Sequence, residues 1–186
     1  MPRIPLLTLE SKLTPEQRRV AEVMTSRRGG RIPGPYRFFL HCPQLAETLE
    51  PVGELLRLKS VFPLRLSEFA TLIAARAWDC NYVFNAHAPI ALKGGLAQPI
   101  IDALADGRRP AFDKTDEEAF YEYCTELLER RAVSDKSYAR ILDLYGEPGV
   151  VELTALIGYF SMVSMTLLAH EMPLPADAKP PLRPRR

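Results

Sequence analysis

The chain has 186 residues, a length that fits one compact domain built around a single core. Its 24 basic and 23 acidic residues nearly cancel, so no excess charge favours a nucleic acid or an anionic membrane as a partner. The 3 cysteines lie far apart and follow no apolar leader segment. We therefore expect reduced thiols in a cytoplasmic protein rather than a disulfide framework.

Residues 1–13 carry two prolines among scattered apolar side chains, a pattern typical of an extended arm over the surface or over a neighbouring subunit. Helical order is predicted to begin at Thr14, because a hydroxyl at the N-cap followed by a proline is a strong start signal. We expect this first helix to end near Arg28, at Gly29 and Gly30.

The remaining apolar positions follow the 3.6-residue period of helices, and no stretch shows the sustained alternation of a strand. Pro51 and Pro89 lie inside two of the periodic segments, where each is expected to bend the helix. The fold is therefore predicted to be all-α, a single-domain bundle of about eight helices over residues 14–174. After the first helix, the segments cover residues 36–42, 43–59, 65–78, 80–94, 98–105, 115–132, 135–146 and 148–171.

Two further stretches bear on domain organisation. Residues 175–186 are rich in proline and arginine, which predicts a mobile tail. Residues 153–169 form the longest apolar stretch, but serine and threonine interrupt it and it is short for a membrane span, so we predict a core helix and no membrane partner. A weak repeat relates the eight residues from Glu68 to those from Glu152, which either two related helical hairpins or chance similarity explains.

The chemistry concentrates in a predicted helical hairpin that holds Glu68, Cys80 and His87. Glu68 lies ten residues before the turn and His87 eight residues after it, so both are about 12–15 Å from the turn and should face one another. Cys80 falls in the first turn of the second helix, where the helix dipole favours thiolate over thiol. A purely structural contact between Glu68 and His87, and a Cys80 that is only a small buried apolar residue, are the alternatives.

This hairpin resembles the carboxymuconolactone decarboxylase-like proteins, which include the alkyl hydroperoxidase D group. Their hydroperoxidase pattern is a glutamate, eleven residues, Cys-x-x-Cys, three residues and a histidine, and Glu68, Cys80 and His87 match it in type and spacing. The second cysteine position is Val83. The segments RGGRIPGPYRFFLHCPQLAE, HAPIALKGGL and VEL extend the resemblance over most of residues 14–174. It implies a homo-oligomer, a trimer or a trimer-based hexamer.

Val83 removes half of the redox motif, so an internal disulfide cycle is impossible in the first turn of this helix. Cys80 could still be oxidised by a peroxide, but it would need an external thiol for its reduction. Cys42 and Cys124 are predicted to be packing residues. His41 and His170 lie at predicted helix ends, where a cation complements the dipole.

The primary functional hypothesis is proton transfer by Glu68 and His87 on a small organic acid or lactone, as resemblance to the decarboxylase branch implies. Arg76 and Tyr82 are the candidate substrate-binding residues, and Arg31 and Arg37 are further candidates for an anion site. The alternatives are a hydroperoxidase-type oxidoreductase that uses Cys80 with an external thiol and acts on a peroxide, and a non-catalytic oligomeric protein. No cofactor is expected, and no metal site, because the three histidines are scattered.

Overall fold

A computed structural model describes residues 1–26 and 30–184 of the chain. Within these ranges it contains helices and no strand, which confirms the predicted all-α class. The helices are α1 (Pro15–Ser26), α2 (Tyr36–Phe39), α3 (Pro43–Leu58), α4 (Leu64–Ala77), α5 (Asn81–Lys93), α6 (Gln98–Ala105), α7 (Thr115–Thr125) and α8 (Asp135–Ala169). A π-helical segment, Glu126–Arg130, extends α7.

The helix boundaries follow local signals in most places. Thr14 and Gln17 form a reciprocal cap at the start of α1, in which each side chain accepts the other residue's backbone N–H, at 3.2 and 3.0 Å. The predicted end of this helix at Arg28 and Gly29 lies outside the described residues, whereas Gly30 has a φ of +80°. Gly146 breaks α8 into two parts, as predicted, because its φ of 68° and ψ of −174° are not helical.

Two boundaries differ from the prediction. The α-helical part of α7 ends at Thr125 instead of near Ala132, because the chain continues as a π-helical segment and then turns at Arg131, whose φ is +61°. Helix α5 begins at Asn81, one residue later than predicted, and its N-cap residue is Cys80 and not Asp79. Asp79 instead has a left-handed backbone with a φ of +49° and forms the tight turn itself.

Helix α4 is the centre of the molecule. It packs against α3, α5, α6, α7 and α8, and most of its residues are buried. Ala70, Ala74 and Ala75 are fully buried along it, so neighbouring helices approach closely. The functional side chains on α4 are therefore held on a rigid element surrounded by packed helices.

Both chain ends are docked on this helical body. In the N-terminal arm Leu7 is buried, and its backbone N–H donates to the carbonyl of Arg37 at 3.1 Å. In the tail Leu182 is buried, and its N–H donates to Oδ1 of Asn81 at 3.0 Å. The prediction of a mobile tail is therefore wrong for the part of the tail near Leu182, because an apolar side chain and backbone hydrogen bonds anchor it beside the α4–α5 turn.

Helix α8 is long and apolar enough to cross a bilayer by length and composition, and half of its most apolar window is buried inside the chain. Such burial is typical of a core helix, and the structure is compatible with a soluble protein. The proposed internal repeat stays a prediction. Its two glutamates have different partners, since Glu68 contacts His87 whereas the Glu152 carboxylate accepts the backbone N–H of Val61.

Candidate active site

A tight turn between α4 and α5 sets the position of the site. The N–H of Cys80 donates to the carbonyl of Ala75 at 2.8 Å, and the N–H of Asp79 donates to that of Arg76 at 3.0 Å. The left-handed backbone at Asp79 reverses the chain within these few residues. The two helices therefore run antiparallel, and residues at equal distances from the turn face one another.

Glu68 and His87 are brought together in this way, as predicted. Oε2 of Glu68 lies 2.6 Å from Nδ1 of His87. The Glu68 side chain is only 3% exposed and that of His87 is 12% exposed, so the imidazole covers the carboxylate. A carboxylate acceptor holds a proton on Nδ1, which leaves Nε2 as the nitrogen able to accept a proton from a ligand.

The His87 ring is also fixed from its other side. Phe160 of α8 packs edge-on against it, with 5.0 Å between the ring centroids and an interplanar angle of 81°. Together with the Glu68 hydrogen bond, this contact restricts both the tilt and the rotation of the imidazole. A general base held in one orientation loses little entropy when a substrate binds.

The His87 side chain lines a cavity of about 190 Å³, which we call the His87 cavity. This volume is below the roughly 300–1,000 Å³ of typical ligand sites, so the cavity fits a compact molecule. Its walls come from the loop before α2 and from α2, α3, α5 and α8. The polar side chains that line it are those of Tyr36, Arg57, Tyr82, His87 and Tyr159.

Tyr82, a predicted substrate-binding residue, does line this cavity. Burial raises the pKa of its hydroxyl, and the charge of nearby Arg37 offsets only part of this effect. A Cβ at Gly34 would collide with the Tyr82 hydroxyl group, so the absence of a side chain at Gly34 lets the phenol pack against the loop. Tyr82 is therefore a neutral hydrogen-bonding group at neutral pH.

Cys80 has a different environment from the one expected. It is 1% exposed and does not line the His87 cavity. Burial raises the pKa of its thiol, although the backbone N–H groups of Val83 and Tyr82 and the nearby hydroxyl of Ser164 counteract this effect. The expectation that the helix start would favour thiolate is thus wrong, because desolvation outweighs the helix terminus. Val83 itself is buried and forms part of the cavity wall.

Arg76 does not lie in the His87 cavity. Its Nη1 donates to the carbonyl of Arg183 at 2.8 Å and lies 3.2 Å from Oδ1 of Asp79. The side chain lines a separate cavity of about 530 Å³ between α4, α6, the π-helical segment and the tail. Arg31 and Arg37 do not line the His87 cavity either, although Arg37 is close enough to Tyr82 to affect its pKa.

Arg57 was missed at the level of sequence. It lines the His87 cavity from α3, and Tyr36 and Tyr159 line it beside Arg57, with their hydroxyl oxygens 3.2 Å apart. One signal could have drawn attention to Arg57, since it is the single cation within the apolar run from Leu55 to Leu58.

Cys42 is exposed, Cys124 is buried, and both are free thiols, with the pKa of Cys124 raised by burial. In the part of the chain that the structure describes, no group of three or more histidine, cysteine or acidic residues is arranged to hold a metal ion.

Sequence comparison gives no relative: no protein-family model matches the chain, and no curated protein matches it significantly. Solved structures do resemble it, among them the following three. An uncharacterized peroxidase-related protein from Silicibacter sp. TM1040 has a TM-score of 0.71 and 14% identity, over 95% of this chain and 93% of that one. The debrominase Bmp8, as a cysteine-to-alanine variant in complex with 2,3,4-tribromopyrrole, has a TM-score of 0.68 and 15% identity over 95% of both chains.

The debrominase Bmp8 in its apo form has a TM-score of 0.63 and 17% identity, over 87% of each chain. At these identities the likeness concerns the fold. The neighbours belong to the carboxymuconolactone decarboxylase and alkyl hydroperoxidase D-like fold, and their similarity extends over nearly the whole chain. This protein therefore has the all-α, alkyl hydroperoxidase D-like fold.

Proposed function

We propose that the protein is an enzyme in which Glu68 and His87 transfer a proton on a small organic acid or lactone, a lyase or decarboxylase-like reaction. The observation that carries this proposal is the 2.6 Å contact between the Glu68 carboxylate and Nδ1 of His87, with the histidine at the wall of a cavity that fits a compact molecule. Solved neighbours of the same fold include a debrominase and a peroxidase-related protein, which supports an enzymatic function at the level of the fold.

The proposed step begins with proton abstraction from the substrate by Nε2 of His87. The imidazole becomes an imidazolium, and the buried Glu68 carboxylate stabilises its charge. The electron pair left on the substrate either forms a double bond and expels a neighbouring group, which takes the proton from the imidazolium as it leaves, or is protonated again by the same imidazolium. An imidazole suits both directions because the same ring nitrogen can accept a proton and return it.

The alternative is a thiol-dependent peroxidase that uses Cys80. In that reaction the thiol attacks a hydroperoxide, Cys80 becomes a sulfenic acid, the alcohol leaves, and an external thiol restores the reduced cysteine. The hydrogen bonds toward the Cys80 sulfur favour this alternative, and so does the neighbour whose ligand complex is a cysteine-to-alanine variant. The burial of Cys80 and its raised pKa count against it.

A pair of variants separates the two reactions. Turnover is measured over a panel of small carboxylates, lactones and hydroperoxides, the last with dithiothreitol as reductant. We expect His87→Gln to abolish turnover of the active carboxylate or lactone and Cys80→Ser to leave at least half of it. Peroxide consumption that needs Cys80 and survives His87→Gln would overturn the proposal in favour of the peroxidase. No turnover of any compound would favour the non-catalytic alternative.

We also propose a cytoplasmic homo-oligomer, a trimer or a hexamer. Apolar side chains at the end of α3 and in the loop to α4 support this proposal, since Leu55, Leu58 and Val61 are 50%, 71% and 50% exposed. Such a cluster is typical of an interaction surface. Light scattering after gel filtration should give three or six times the monomer mass, and Leu58→Glu should lower it. A monomer at micromolar concentration contradicts the proposal.

A further inference from the structure

We propose that Arg57 binds the carboxylate of the substrate within the His87 cavity, which the histidine of the proton-transfer pair also lines. This inference rests on the proposed function in one respect, because it takes the His87 cavity as the substrate site. It identifies Arg57 as the residue that selects the substrate, and it requires the substrate to carry a negative charge. Arg76, Arg31 and Arg37, the candidates from the sequence, do not line this cavity.

The packing of α3 against α8 places Arg57 beside two tyrosines. A Cβ at Gly53 would lie 2.5 Å from the Tyr159 hydroxyl and 3.5 Å from that of Tyr36, so the absence of a side chain at Gly53 lets both phenols approach α3. Positions four residues apart share one face of a helix, and Arg57 follows Gly53 by four residues. Arg57 therefore lies on the face of α3 that contacts the tyrosine pair and lines the cavity with His87.

The Nε of Arg57 is buried and makes no hydrogen bond to the residues that the structure describes. Glu54, the acid closest along α3, contacts Lys59 instead, at 2.7 Å. A buried N–H donor without an acceptor is costly, and buried donors in proteins are nearly always paired. We infer that a ligand supplies the acceptor.

The geometry of a guanidinium indicates the chemical class of this ligand. Its planar set of N–H donors matches the two oxygens of a carboxylate, and such a charge-assisted pair is stronger than a neutral hydrogen bond. The cavity of about 190 Å³ holds a compact molecule, roughly the volume of six waters. A small carboxylate held at Arg57 would extend its carbon skeleton within the cavity that Tyr82 and His87 also line.

Binding of benzoate and its neutral analogue benzamide tests this inference by titration calorimetry without any turnover. We expect the wild-type protein to bind benzoate at least tenfold more tightly than benzamide. Arg57→Gln should weaken the binding of benzoate by about 10- to 100-fold and leave the affinity for benzamide unchanged, while Arg57→Lys should bind benzoate with an intermediate affinity. Lys59→Gln is the matched control, because it removes a cation of the same helix end that does not line the cavity and should change neither affinity.

Measurements at pH 6 and pH 9 separate Arg57 from a protonated histidine. A guanidinium stays charged over this range, so the preference for benzoate should persist at pH 9. Loss of the preference at pH 9, equal weakening of both ligands by Arg57→Gln, or no binding of benzoate at millimolar concentration would overturn the inference. If the benzoate preference depends on Arg57 but no turnover depends on His87, the anion site at Arg57 is supported and only the proposed function is rejected.

Discussion

The Glu68 carboxylate and the His87 imidazole lie 2.6 Å apart across the α4–α5 hairpin, with the carboxylate on the buried side and the imidazole on the side of the cavity. The hydrogen bond therefore orients the ring and stabilises its protonated form, while the second ring nitrogen remains for a ligand. Because Glu68 is buried behind the histidine, a proton that comes from the cavity reaches His87 before it reaches Glu68.

Glu68→Gln should keep the fold and impair proton transfer. An amide cannot balance the charge of an imidazolium, so kcat should fall by about 100-fold, within the usual range for loss of acid-base assistance. The His87 tautomer gives a readout that needs no substrate. In ¹⁵N NMR spectra of the wild type we expect the proton on Nδ1, and in the variant a mixture of tautomers.

Glu152→Gln is the control for this prediction. Glu152 begins the segment that resembles the one from Glu68, but its carboxylate accepts the backbone N–H of Val61 and does not contact His87. The control should leave kcat and the His87 spectrum unchanged. An unaltered tautomer in Glu68→Gln would contradict the assigned role of the carboxylate.

The reactivity of Cys80 should depend on pH in the direction set by its burial. A raised pKa means that less thiolate is present at any given pH, so the midpoint of alkylation by iodoacetamide should lie above that of a cysteine in an unfolded peptide. Ser164 lowers the pKa of Cys80, so Ser164→Ala should move the midpoint further up. Mass spectrometry of the alkylated peptide measures both midpoints.

Ser161→Ala serves as the control for Ser164, because Ser161 is a buried hydroxyl on the same helix that does not affect the pKa of Cys80. It should not shift the Cys80 midpoint. A midpoint below that of the unfolded peptide would mean that the helix start, and not desolvation, controls the thiol, and it would strengthen the peroxidase alternative.

The helices and the Glu68–His87 pair could be predicted from the sequence because both depend on local information. Caps, prolines and the helical period give the helix ends, and counting residues from one tight turn gives the facing pair. The position of Arg57 in the His87 cavity could not be predicted in this way. Arg57 and Arg76 are equally plausible from their helix positions, and only the packing of α3 against α8 brings Arg57 to the cavity.

The thiol of Cys80 was predicted incorrectly for a related reason. The helix-terminus effect is visible in the sequence, whereas desolvation depends on how the whole fold buries the thiol, which leaves Cys80 only 1% exposed. The same applies to the tail, since Leu182 is anchored by Asn81, which lies about a hundred positions earlier. Composition predicts solvent exposure well only where no such long-range partner exists.

Arg65 should be important for stability because it joins α4 to the start of α7. Its guanidinium contacts Asp116 at 2.6 Å and the buried Glu117 at 2.5 Å. Arg65→Met should lower the free energy of unfolding by about 2–4 kcal/mol, since it leaves a buried carboxylate without its main partner. The exposed pair of Arg19 and Glu47 is the control, and Arg19→Met should cost less than about 1 kcal/mol in urea unfolding.

This contribution should disappear in acid. Burial raises the pKa of Asp116, but the hydrogen bond and charge of Arg65 outweigh it, so the pKa in the folded protein lies below the ordinary value. A carboxyl group with a lowered pKa stabilises the fold above its unfolded-state pKa of about 4, and this stabilisation is lost as the pH falls through the folded-state pKa. The difference between wild type and Arg65→Met should therefore shrink below about pH 4. A constant difference down to pH 2 would contradict the assignment.

Gly34→Ala should narrow the His87 cavity without unfolding the protein. The new methyl group would collide with the Tyr82 hydroxyl group, and because this is the end of a side chain, Tyr82 can move into the cavity. We expect weaker binding of benzoate and benzamide alike, by about tenfold or more, with a change in the free energy of unfolding of less than about 1 kcal/mol.

Gly158→Ala is the control, since its Cβ would meet no atom within 4 Å on the exposed side of α8. It should stabilise the protein by about 0.5–1 kcal/mol through helix propensity and leave binding unchanged. Unaltered ligand affinity in Gly34→Ala would show that Tyr82 does not border the space that the ligand occupies.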